Sequence, residues 1–483
     1  MFEQAFKRLD NHLNNDDGIS TELEYVEQSS WLLFLKYLDD LEIERQKEAE
    51  LGEKYRPILE EKFRWSAWAM PKKADGSPAY DKIKTGESLI DFVNKELFPY
   101  LAGFKGADGV KTDTIEHKIG EIFSQLENKI ESGNCLRECL EDIDELAFAS
   151  QSDLHELSSL YEVRINRMGN AGRNGGEFYT PRPLIRAMLK VVKPEIGETI
   201  CDPATGSAGF LCESYDYLYK EGISGTEFET LQKRTLYGQE KKVLPYVIGM
   251  MNMILHGVET PNLARVNTLS EKLTDIQDDD KYDIILANPP FKAGGEGREI
   301  QQNFDIRSSE PAYLFLQFFI RSLKPGGRAG IVIKNTFLSN NDVAATSLRE
   351  LLLKSCNLHT ILECPRGVFQ AGVETVVLFF EKGSPTEDIW YYTLDPGRTL
   401  GKTRPLTDKD MAEFVSLQPE RKESEKSWIV SIDDVDTETC SLTPRNPNKP
   451  QEAPLRAPSE IVREISAIDK ESAEILNSVR GLL

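Results

Sequence analysis

The segment Asn288-Pro289-Pro290-Phe291 contains the residue types that most directly suggest chemistry. It follows the apolar run Tyr282–Ala287, which predicts a strand, and ligands bind at the carboxyl ends of strands in open α/β sheets. Two successive prolines fix φ at about −65° and remove two backbone donors. The resulting rigid bend can direct the Asn288 amide and the Pro289 carbonyl toward one point.

Two converging acceptors suit an exocyclic amino group, whose lone pair is conjugated into a ring and is therefore a poor nucleophile. Accepting both N–H bonds localises that lone pair and directs it toward an electrophile. Phe291 offers a ring face on which a planar base can stack. We therefore predict that Asn288, Pro289, Pro290 and Phe291 are catalytic, although the tetrapeptide alone is also compatible with a structural turn.

A second segment, Asp202-Pro203-Ala204-Thr205-Gly206-Ser207-Ala208-Gly209-Phe210, directly follows the predicted strand Thr199–Cys201 and opens a helix. Small residues allow the backbone to approach a ligand closely, and a helix N-terminus beside a carboxylate can sort the ligand's charged groups. Alone, such a turn is also explained by chain geometry.

The next predicted strand ends in Gly238-Gln239-Glu240. An acidic side chain at this place can accept hydrogen bonds from both hydroxyls of a ribose. By itself, Glu240 would be interpreted as an ordinary acidic residue of the surface. It is a candidate ligand-binding residue only because it follows the Asp202–Phe210 segment.

A fourth segment, Gly176–Pro181, lies just before the first predicted strand and can fold over a ligand bound at the glycine-rich turn. The same residues also fit a helix start, with Thr180 as N-cap and Pro181 at the first helical position. Both interpretations can hold together.

The elements that position these segments form an α/β pattern. Short β-branched runs alternate with helical patterns from about Glu198, which predicts a Rossmann-like, doubly wound, mostly parallel sheet. The predicted strands are Thr199–Cys201, Thr235–Gly238, Tyr282–Ala287, Arg328–Ile333, His359–Glu363 and Thr375–Phe380.

An α-helical domain is predicted for residues 1–150, a catalytic domain for 151–400 and a C-terminal extension for 401–483. The first has helical spacing in two apolar sets, one from Trp31 to Leu38 and one from Ile115 to Ile130. Beyond Lys382 the pattern becomes polar and rich in proline. A final helix is predicted after Pro458, with Ser459 as N-cap, and its apolar stripe either packs on its own domain or docks a partner.

The composition excludes several classes of protein. The chain has 483 residues, with 58 Lys and Arg, 80 Asp and Glu, and a net charge of −22. Because basic residues supply most of the affinity for nucleic acid, we do not expect this chain to bind nucleic acid without a partner. Seven cysteines without a Cys-x-x-Cys pair predict no bound metal, and Cys135 and Cys139 fit one helical face. Without a long apolar run or a signal peptide, we expect no membrane association and a cytoplasmic location.

In their order along the chain, Glu177–Pro181, Asp202–Phe210, Gly238–Glu240 and Asn288–Phe291 resemble the motifs of amino-group DNA methyltransferases. The closest resemblance is to the modification subunits of type I restriction-modification systems, which are adenine-N(6) methyltransferases. The helical segment Trp31–Leu38 resembles that family as well. So do the downstream segments Phe315–Gln317 and Lys324–Arg328.

This resemblance implies the class I methyltransferase fold and S-adenosylmethionine as methyl donor. It implies that the donor lies against the other three segments, and that Asn288–Phe291 holds a flipped adenine of double-stranded DNA. It also implies a complex of two copies with a specificity subunit and a restriction subunit. The cofactor-binding residues implied are Glu177, Phe178, Tyr179, Thr180, Pro181, Asp202, Pro203, Thr205, Gly206, Ser207, Gly209, Phe210, Glu240 and Asn267.

Three other functions share some of these sequence features. Glutamine methyltransferases of release factors also carry Asn-Pro-Pro, usually followed by Tyr, and they are shorter. A cofactor-binding assembly subunit without activity would not need an intact Asn288–Phe291. Methylation of cytosine at C5 needs a cysteine after a proline, whereas this chain has Cys364-Pro365, so we expect Cys364 to be structural.

Overall fold

The computed structural model describes most of the chain. Its described residues are 2–50, 56–73, 77–107, 110–111, 114–146, 157–165, 179–220, 222–291, 297–369, 372–449 and 458–481. Within these ranges no helix is both long and apolar enough to cross a membrane.

The N-terminal part is helical, as predicted. Its helices are α1 (Phe2–Asn14), α2 (Glu22–Glu50), α3 (Trp65–Trp68), α4 (Gly86–Phe92), α5 (Phe98–Gly103), α6 (Ile115–Phe123), α7 (Gly133–Asp144) and α8 (157–165). The apolar set of α2, from Trp31 to Leu38, is buried, which confirms the helical spacing. Cys135 and Cys139 both lie on the buried face of α7, also as predicted.

The second apolar set was predicted to continue as one helix, and this is wrong, because α6 ends at Phe123. Leu126 and Ile130 are buried in an extended segment instead. A side chain of α2 and one from the connection between α1 and α2 bind the backbone of this segment. Gln28 accepts from Lys129 N at 3.1 Å, and Asp16 accepts from the N–H groups that follow Ile130. These bonds satisfy the backbone without a further helical turn.

One nine-stranded sheet forms the centre of the rest of the molecule, in the order β3-β2-β1-β4-β5-β7-β6-β8-β9. From β3 to β5 neighbouring strands are parallel, and β7 runs antiparallel between β5 and β6. The strands are β1 (Ile200–Asp202), β2 (Leu236–Gln239), β3 (Asn262–Ala264), β4 (Tyr282–Ala287), β5 (Leu323–Lys334), β6 (Cys356–Cys364), β7 (Thr375–Lys382), β8 (Asp388–Thr393) and β9 (Ser427–Ser431).

Helices cover both faces of the sheet, so the doubly wound prediction is confirmed. They are α9 (Arg182–Val192), α10 (Gly209–Leu218), α11 (Gly225–Thr230), α12 (Val243–Leu255), α13 (Arg298–Gln301), α14 (Pro311–Ser322), α15 (Val343–Ser355) and α16 (Asp408–Leu417). Alternate residues of β4 face opposite sides. Leu286 packs in the core that contains α9, α10 and α12, while Ile285 packs in the core that contains α14 and α15.

The sequence beyond Lys382 predicts only a polar, proline-rich stretch before the final helix, and the structure places β8, α16 and β9 within it. The β8 residues Trp390, Tyr391 and Tyr392 are all buried. Three adjacent aromatic residues show no alternation, so they did not give a strand signal. The sheet thus continues past residue 400, and the division at residues 150 and 400 stays a prediction.

The last helix, α17 (Pro458–Arg480), begins at Pro458, so Ser459 lies inside its first turn and is not the N-cap. Every described residue of α17 is exposed. The alternative in which its apolar stripe packs on its own domain is therefore wrong for this structure.

The buried Arg349 of α15 holds the segment after β9 against the sheet domain. Its guanidinium donates to Phe337 O at 2.6 Å, to Thr439 O at 2.7 Å and to Cys440 O at 2.8 Å. We predict that Arg349→Ala lowers the free energy of unfolding by about 3 kcal/mol, because three buried carbonyls lose their donor. Urea denaturation measures this, and Lys354→Ala at the exposed end of α15 is the control. Equal effects of the two changes would contradict the prediction.

Candidate active site

Three of the predicted segments meet at one edge of the sheet because β2, β1 and β4 are neighbours. Asp202 ends β1, Gln239 ends β2 and Asn288 directly follows β4. A cleft that is open to solvent lies at this edge. Its lining includes Pro203, Gly206, Glu240, Asn267, Asn288 and Pro290.

The glycine-rich turn is tied to the end of β2 by hydrogen bonds. Thr205 N donates to Gln239 O at 3.0 Å, and Thr205 Oγ1 donates to Asp202 O at 2.8 Å. Gly206 N then donates to Glu240 Oε2 at 2.9 Å. Gly206 has a φ of +54°, in the left-handed region where a side chain is strained, so the turn needs a glycine at this place.

Two buried carboxyl groups flank the turn. Asp202 Oδ1 accepts from Ala204 N at 3.1 Å, and Asp202 Oδ2 is buried without a partner. Burial raises the pKa of Asp202 to about 8, the Ala204 N–H opposes this rise, and the Glu240 carboxylate adds to it. Burial also raises the pKa of Glu240, against the N–H groups of Lys242 and Gly206. This part of the cleft therefore favours a cation or a set of hydrogen-bond donors.

The Asn288 side chain is buried, with 8% of its surface exposed. Its Nδ2 donates to Thr180 Oγ1 at 3.1 Å, whereas its Oδ1 has no partner. Asn288 lines the cleft, and its unpaired amide oxygen has the capacity to accept a hydrogen bond from a ligand. The structure thus brings the segment before the sheet, represented by Thr180, onto the catalytic segment.

A buried ion pair lies behind the cleft. Arg182 Nε and Nη2 donate to Glu162 of α8 at 2.8 and 2.6 Å, and the guanidinium stands 5.1 Å from the centre of the Tyr179 ring. Burial alone would raise the pKa of Glu162, but Arg182 lowers it. A Cβ on Gly209 would lie 1.6 Å from Arg182 Nη1, so Gly209 is required for this packing and not only for a ligand.

The predicted site residues differ in where they lie relative to the cleft. Pro203, Gly206, Glu240 and Asn267 line the cleft together with Asn288 and Pro290. Thr205, Ser207, Phe210 and Pro289 are buried. Glu177 and Phe178 lie outside the described residues. Phe291 is half-buried, with its ring at 82° to that of Phe369 and 5.6 Å between the two ring centres.

One local prediction for the fourth segment is wrong. The N-cap of α9 is Pro181, and the Thr180 side chain caps nothing. Pro183 occupies the first turn, where its missing N–H is not needed, so the helix starts without a side-chain cap. The Thr180 hydroxyl is instead engaged with Asn288.

Sequence reasoning missed other residues of the site. Phe315 lines the cleft, yet in the sequence it is one of several apolar residues of α14 and carries no separate signal. Gln239 and Lys242 also line the cleft, and their adjacency to Glu240 was the available signal. The Arg182–Glu162 pair joins residues 20 positions apart and had no sequence signature.

Cys364 is buried at the end of β6, and burial raises the pKa of its thiol to about 12. A thiol with so high a pKa is not ionised near neutral pH and is a poor nucleophile. This agrees with the structural role predicted for Cys364.

The sheet order, with β7 antiparallel between β5 and β6, and the cleft at the carboxyl ends of β1, β2 and β4 define a class I methyltransferase fold. The family model of the N-6 DNA methylases matches residues 152–454, and that of the HsdM N-terminal domain matches residues 7–163. The chain belongs to the N-6 DNA methylase family, among the methylase subunits of type I restriction enzymes.

Individual relatives agree with this assignment. The methylase subunit of the type I restriction enzyme EcoEI of Escherichia coli is 32% identical over 99% of this chain and 97% of its own length. That of EcoKI, from Escherichia coli strain K12, is 29% identical over 83% of this chain and 72% of its own length. The crystal structure of a modification subunit of a putative type I restriction enzyme from Vibrio vulnificus YJ016 has a TM-score of 0.80 at 33% identity and covers 93% of this chain and 97% of that one.

A chain from a structural study of complex assembly in the type I R-M system has a TM-score of 0.79 at 34% identity, covering 100% of this chain and 97% of that one. The predicted family, fold class and activity are therefore confirmed. The protein is an adenine-specific DNA methyltransferase subunit of a restriction-modification system. The glutamine methyltransferase and the inactive assembly subunit are set aside.

The raised pKa of Asp202 predicts how stability depends on pH. The ordinary pKa is 3.8 and the folded value about 8, so the folded chain binds this proton more tightly than the unfolded chain does. Stability from the neutral carboxyl is then lost as pH rises from about 4 to about 8. Asp202→Asn keeps an acceptor for Ala204 N and cannot ionise, so we expect its gain in melting temperature over the parent to grow across this range.

Scanning calorimetry of the ligand-free chain from pH 5 to pH 9 measures this difference. Asp388→Asn, at the exposed start of β8, is the matched control and should show no such trend. If the melting temperature of Asp202→Asn exceeds that of the parent by the same amount at every pH, the raised pKa of Asp202 is contradicted.

Proposed function

We propose that the cleft binds S-adenosylmethionine and that Asn288 holds the amino group of an adenine extruded from double-stranded DNA. The observation that carries this proposal is the buried, unpaired Oδ1 of Asn288, a residue that lines the same cleft as Glu240. An acceptor left without a partner inside a protein is costly, and a ligand N–H relieves that cost.

The residues present fit the donor molecule. Asp202 Oδ2 is a buried acceptor without a partner, which suits the ammonium of a methionine moiety. Both Glu240 oxygens accept backbone N–H groups, and a carboxylate oxygen can accept a further bond from a ribose hydroxyl. Asn267 Oδ1 caps Leu269 N at 3.3 Å and retains capacity for the amino group of the donor's adenine.

When bound, S-adenosylmethionine supplies an electrophilic methyl group, which the adenine N6 lone pair attacks as the carbon–sulfur bond breaks toward sulfur and N6 loses a proton to water. The chain's own contribution is alignment, and orientation of this kind can supply about 7–11 kcal/mol. Asn288 orients the amino group, and the prolines that follow hold Asn288 in place. We propose that Phe291 stacks on the extruded base, whose extrusion costs a few kcal/mol.

The proposal includes partners. The net charge of −22 leaves little electrostatic attraction for DNA, so a specificity subunit would bind the DNA and choose the sequence. We propose that two copies of this chain join one specificity subunit, that a restriction subunit adds to this complex, and that the complex works in the cytoplasm.

The exposed stripe of α17 supports a docking role. Its apolar residues are 42–62% exposed although the helix itself is amphipathic, and large exposed apolar surfaces mark interaction sites. The stripe consists of Ile461, Ile465, Ile468, Ile475 and Val479.

One pair of substitutions separates catalysis from cofactor binding. Asn288→Ala should reduce methyl transfer about 100-fold or more while the dissociation constant of S-adenosylmethionine changes less than about threefold, because the lost acceptor acts on the base. Gly206→Val should abolish cofactor binding, since a β-branched residue is strained at its φ of +54°. Calorimetry gives the affinity, and labelled cofactor with DNA and the specificity subunit gives the transfer.

Asn335→Ala is the matched control, because Asn335 follows β5 at the same sheet edge but its amide is paired with Glu374 at 3.0 Å. Unimpaired transfer by Asn288→Ala, or label on protein and none on adenine, would contradict the proposed role.

A further prediction concerns assembly with the specificity subunit. Removing residues 458–483 should weaken co-purification with the specificity subunit about tenfold and leave the affinity for S-adenosylmethionine unchanged, because the apolar stripe is lost and the cleft is not. Ile468→Asp should have the same direction of effect. Lys470→Asp, on the opposite face of α17, is its control, and equal binding by all three variants would refute the docking role.

A further inference from the structure

The glycine-rich turn holds two residues in the left-handed region of backbone conformation. Gly206 has a φ of +54°, and Ala208, which carries a side chain, has a φ of +61°. A residue other than glycine is strained in this region and persists there only where the surrounding structure fixes it. The turn therefore depends on groups outside it for its conformation.

The helix α12 packs directly against this turn. A Cβ on Gly249 would lie 2.9 Å from Gly206 O and 3.3 Å from the Ala208 Cβ, so the close approach requires a glycine. Asn252 is fully buried, and its Nδ2 donates to Ser207 O at 2.9 Å. Gly249 and Asn252 lie on one face of α12, because residues three apart are neighbours on a helix. This face of α12 thus contacts three successive residues of the turn.

Asn252 is fixed by a second acceptor outside the turn. Its Nδ2 also donates to Glu162 Oε1 of α8 at 2.6 Å, so each of the two amide N–H groups has an acceptor. Glu162 in turn accepts two hydrogen bonds from Arg182, at 2.8 and 2.6 Å. The Arg182 guanidinium occupies the space that a Cβ on Gly209 would need. A buried ion pair therefore holds the amide that holds the turn.

We infer that Asn252 is a positioning residue for cofactor binding, which keeps the glycine-rich turn in its ligand-binding conformation through Ser207 O. This inference rests on the proposed function, in which the turn binds S-adenosylmethionine. Asn252 is absent from the lining of the cleft, so it acts through the turn and not by contact with the ligand. A turn that is ordered before binding increases affinity, because the ligand does not have to order it.

Asn252→Leu keeps the branched shape of the side chain and removes both N–H donors. We expect the dissociation constant of S-adenosylmethionine for the full chain to rise about tenfold or more, because the turn must then be ordered during binding. Calorimetry measures this constant. With the specificity subunit and DNA, the KM for S-adenosylmethionine should rise in the same direction. The kcat at saturating cofactor should stay within about threefold of the parent, because the bound ligand then holds the turn.

Gly249→Ala tests the same turn by a different route. Its Cβ would press on Gly206 O, while both hydrogen bonds of Asn252 remain. We expect a weaker affinity for S-adenosylmethionine here as well. This variant takes the place of Asn252→Leu if Asn252→Leu does not fold.

Tyr246→Phe is the matched control. Tyr246 lies on the same helix and is 1% exposed, and its hydroxyl donates to Glu121 Oε2 of α6 at 2.8 Å. Like Asn252→Leu, this change removes a hydrogen bond between α12 and an N-terminal helix, but the bond does not involve the turn. It should lower the melting temperature and leave the affinity for S-adenosylmethionine unchanged.

Three results would overturn the inference: an unchanged affinity in Asn252→Leu, an equal loss of affinity in Tyr246→Phe, or a fall in kcat with an unchanged dissociation constant. The second would assign the effect to the general stability of the fold. Failure of the proposed function is seen separately, because the parent chain itself would then not bind S-adenosylmethionine.

Discussion

The proposed chemistry of this protein depends on one buried amide, which is bonded at its nitrogen and unpaired at its oxygen. An unsatisfied buried acceptor costs about 1–3 kcal/mol, so a fold retains one only where the surroundings hold it in place. Here the surroundings are β4 before Asn288, two prolines after it and the Thr180 hydroxyl, which accepts from its nitrogen. The same group that destabilises the folded chain is the group that can orient an amino nucleophile.

Burial acts in the same way on the two carboxyl groups beside the glycine-rich turn. Removal from water raises the pKa of both Asp202 and Glu240, and the Glu240 carboxylate raises that of Asp202 further. A cationic ligand would remove the repulsion and supply the missing hydrogen bonds at once. The cleft is thus less stable when empty than its packing alone would suggest, and ligand binding and folding stability are linked.

The helical N-terminal region does more than enclose a core of its own. Glu162 of α8 forms the buried pair with Arg182, which in turn contacts Thr180 and excludes any side chain at Gly209. A change in the position of α8 would therefore reach the catalytic amide through a short series of direct contacts. The acidic charge and the exposed stripe of α17 support the proposal that a partner binds the DNA and chooses the sequence, while this chain holds the chemistry.

The sequence alone was sufficient for features that depend on neighbouring residues. The period of apolar residues identified α2, the β-branched runs identified six of the nine strands, and the motifs at the ends of β1, β2 and β4 identified the cleft. It missed β8, whose three adjacent aromatic residues do not alternate with polar ones, and the early end of α6, after which Gln28 and Asp16 bind the backbone. Only the tertiary structure decided the contact between Thr180 and Asn288, 108 residues apart, the Arg182–Glu162 pair and the raised pKa of Asp202. These features come from burial and from approach between distant segments, and such energies are absent from any local pattern of residues.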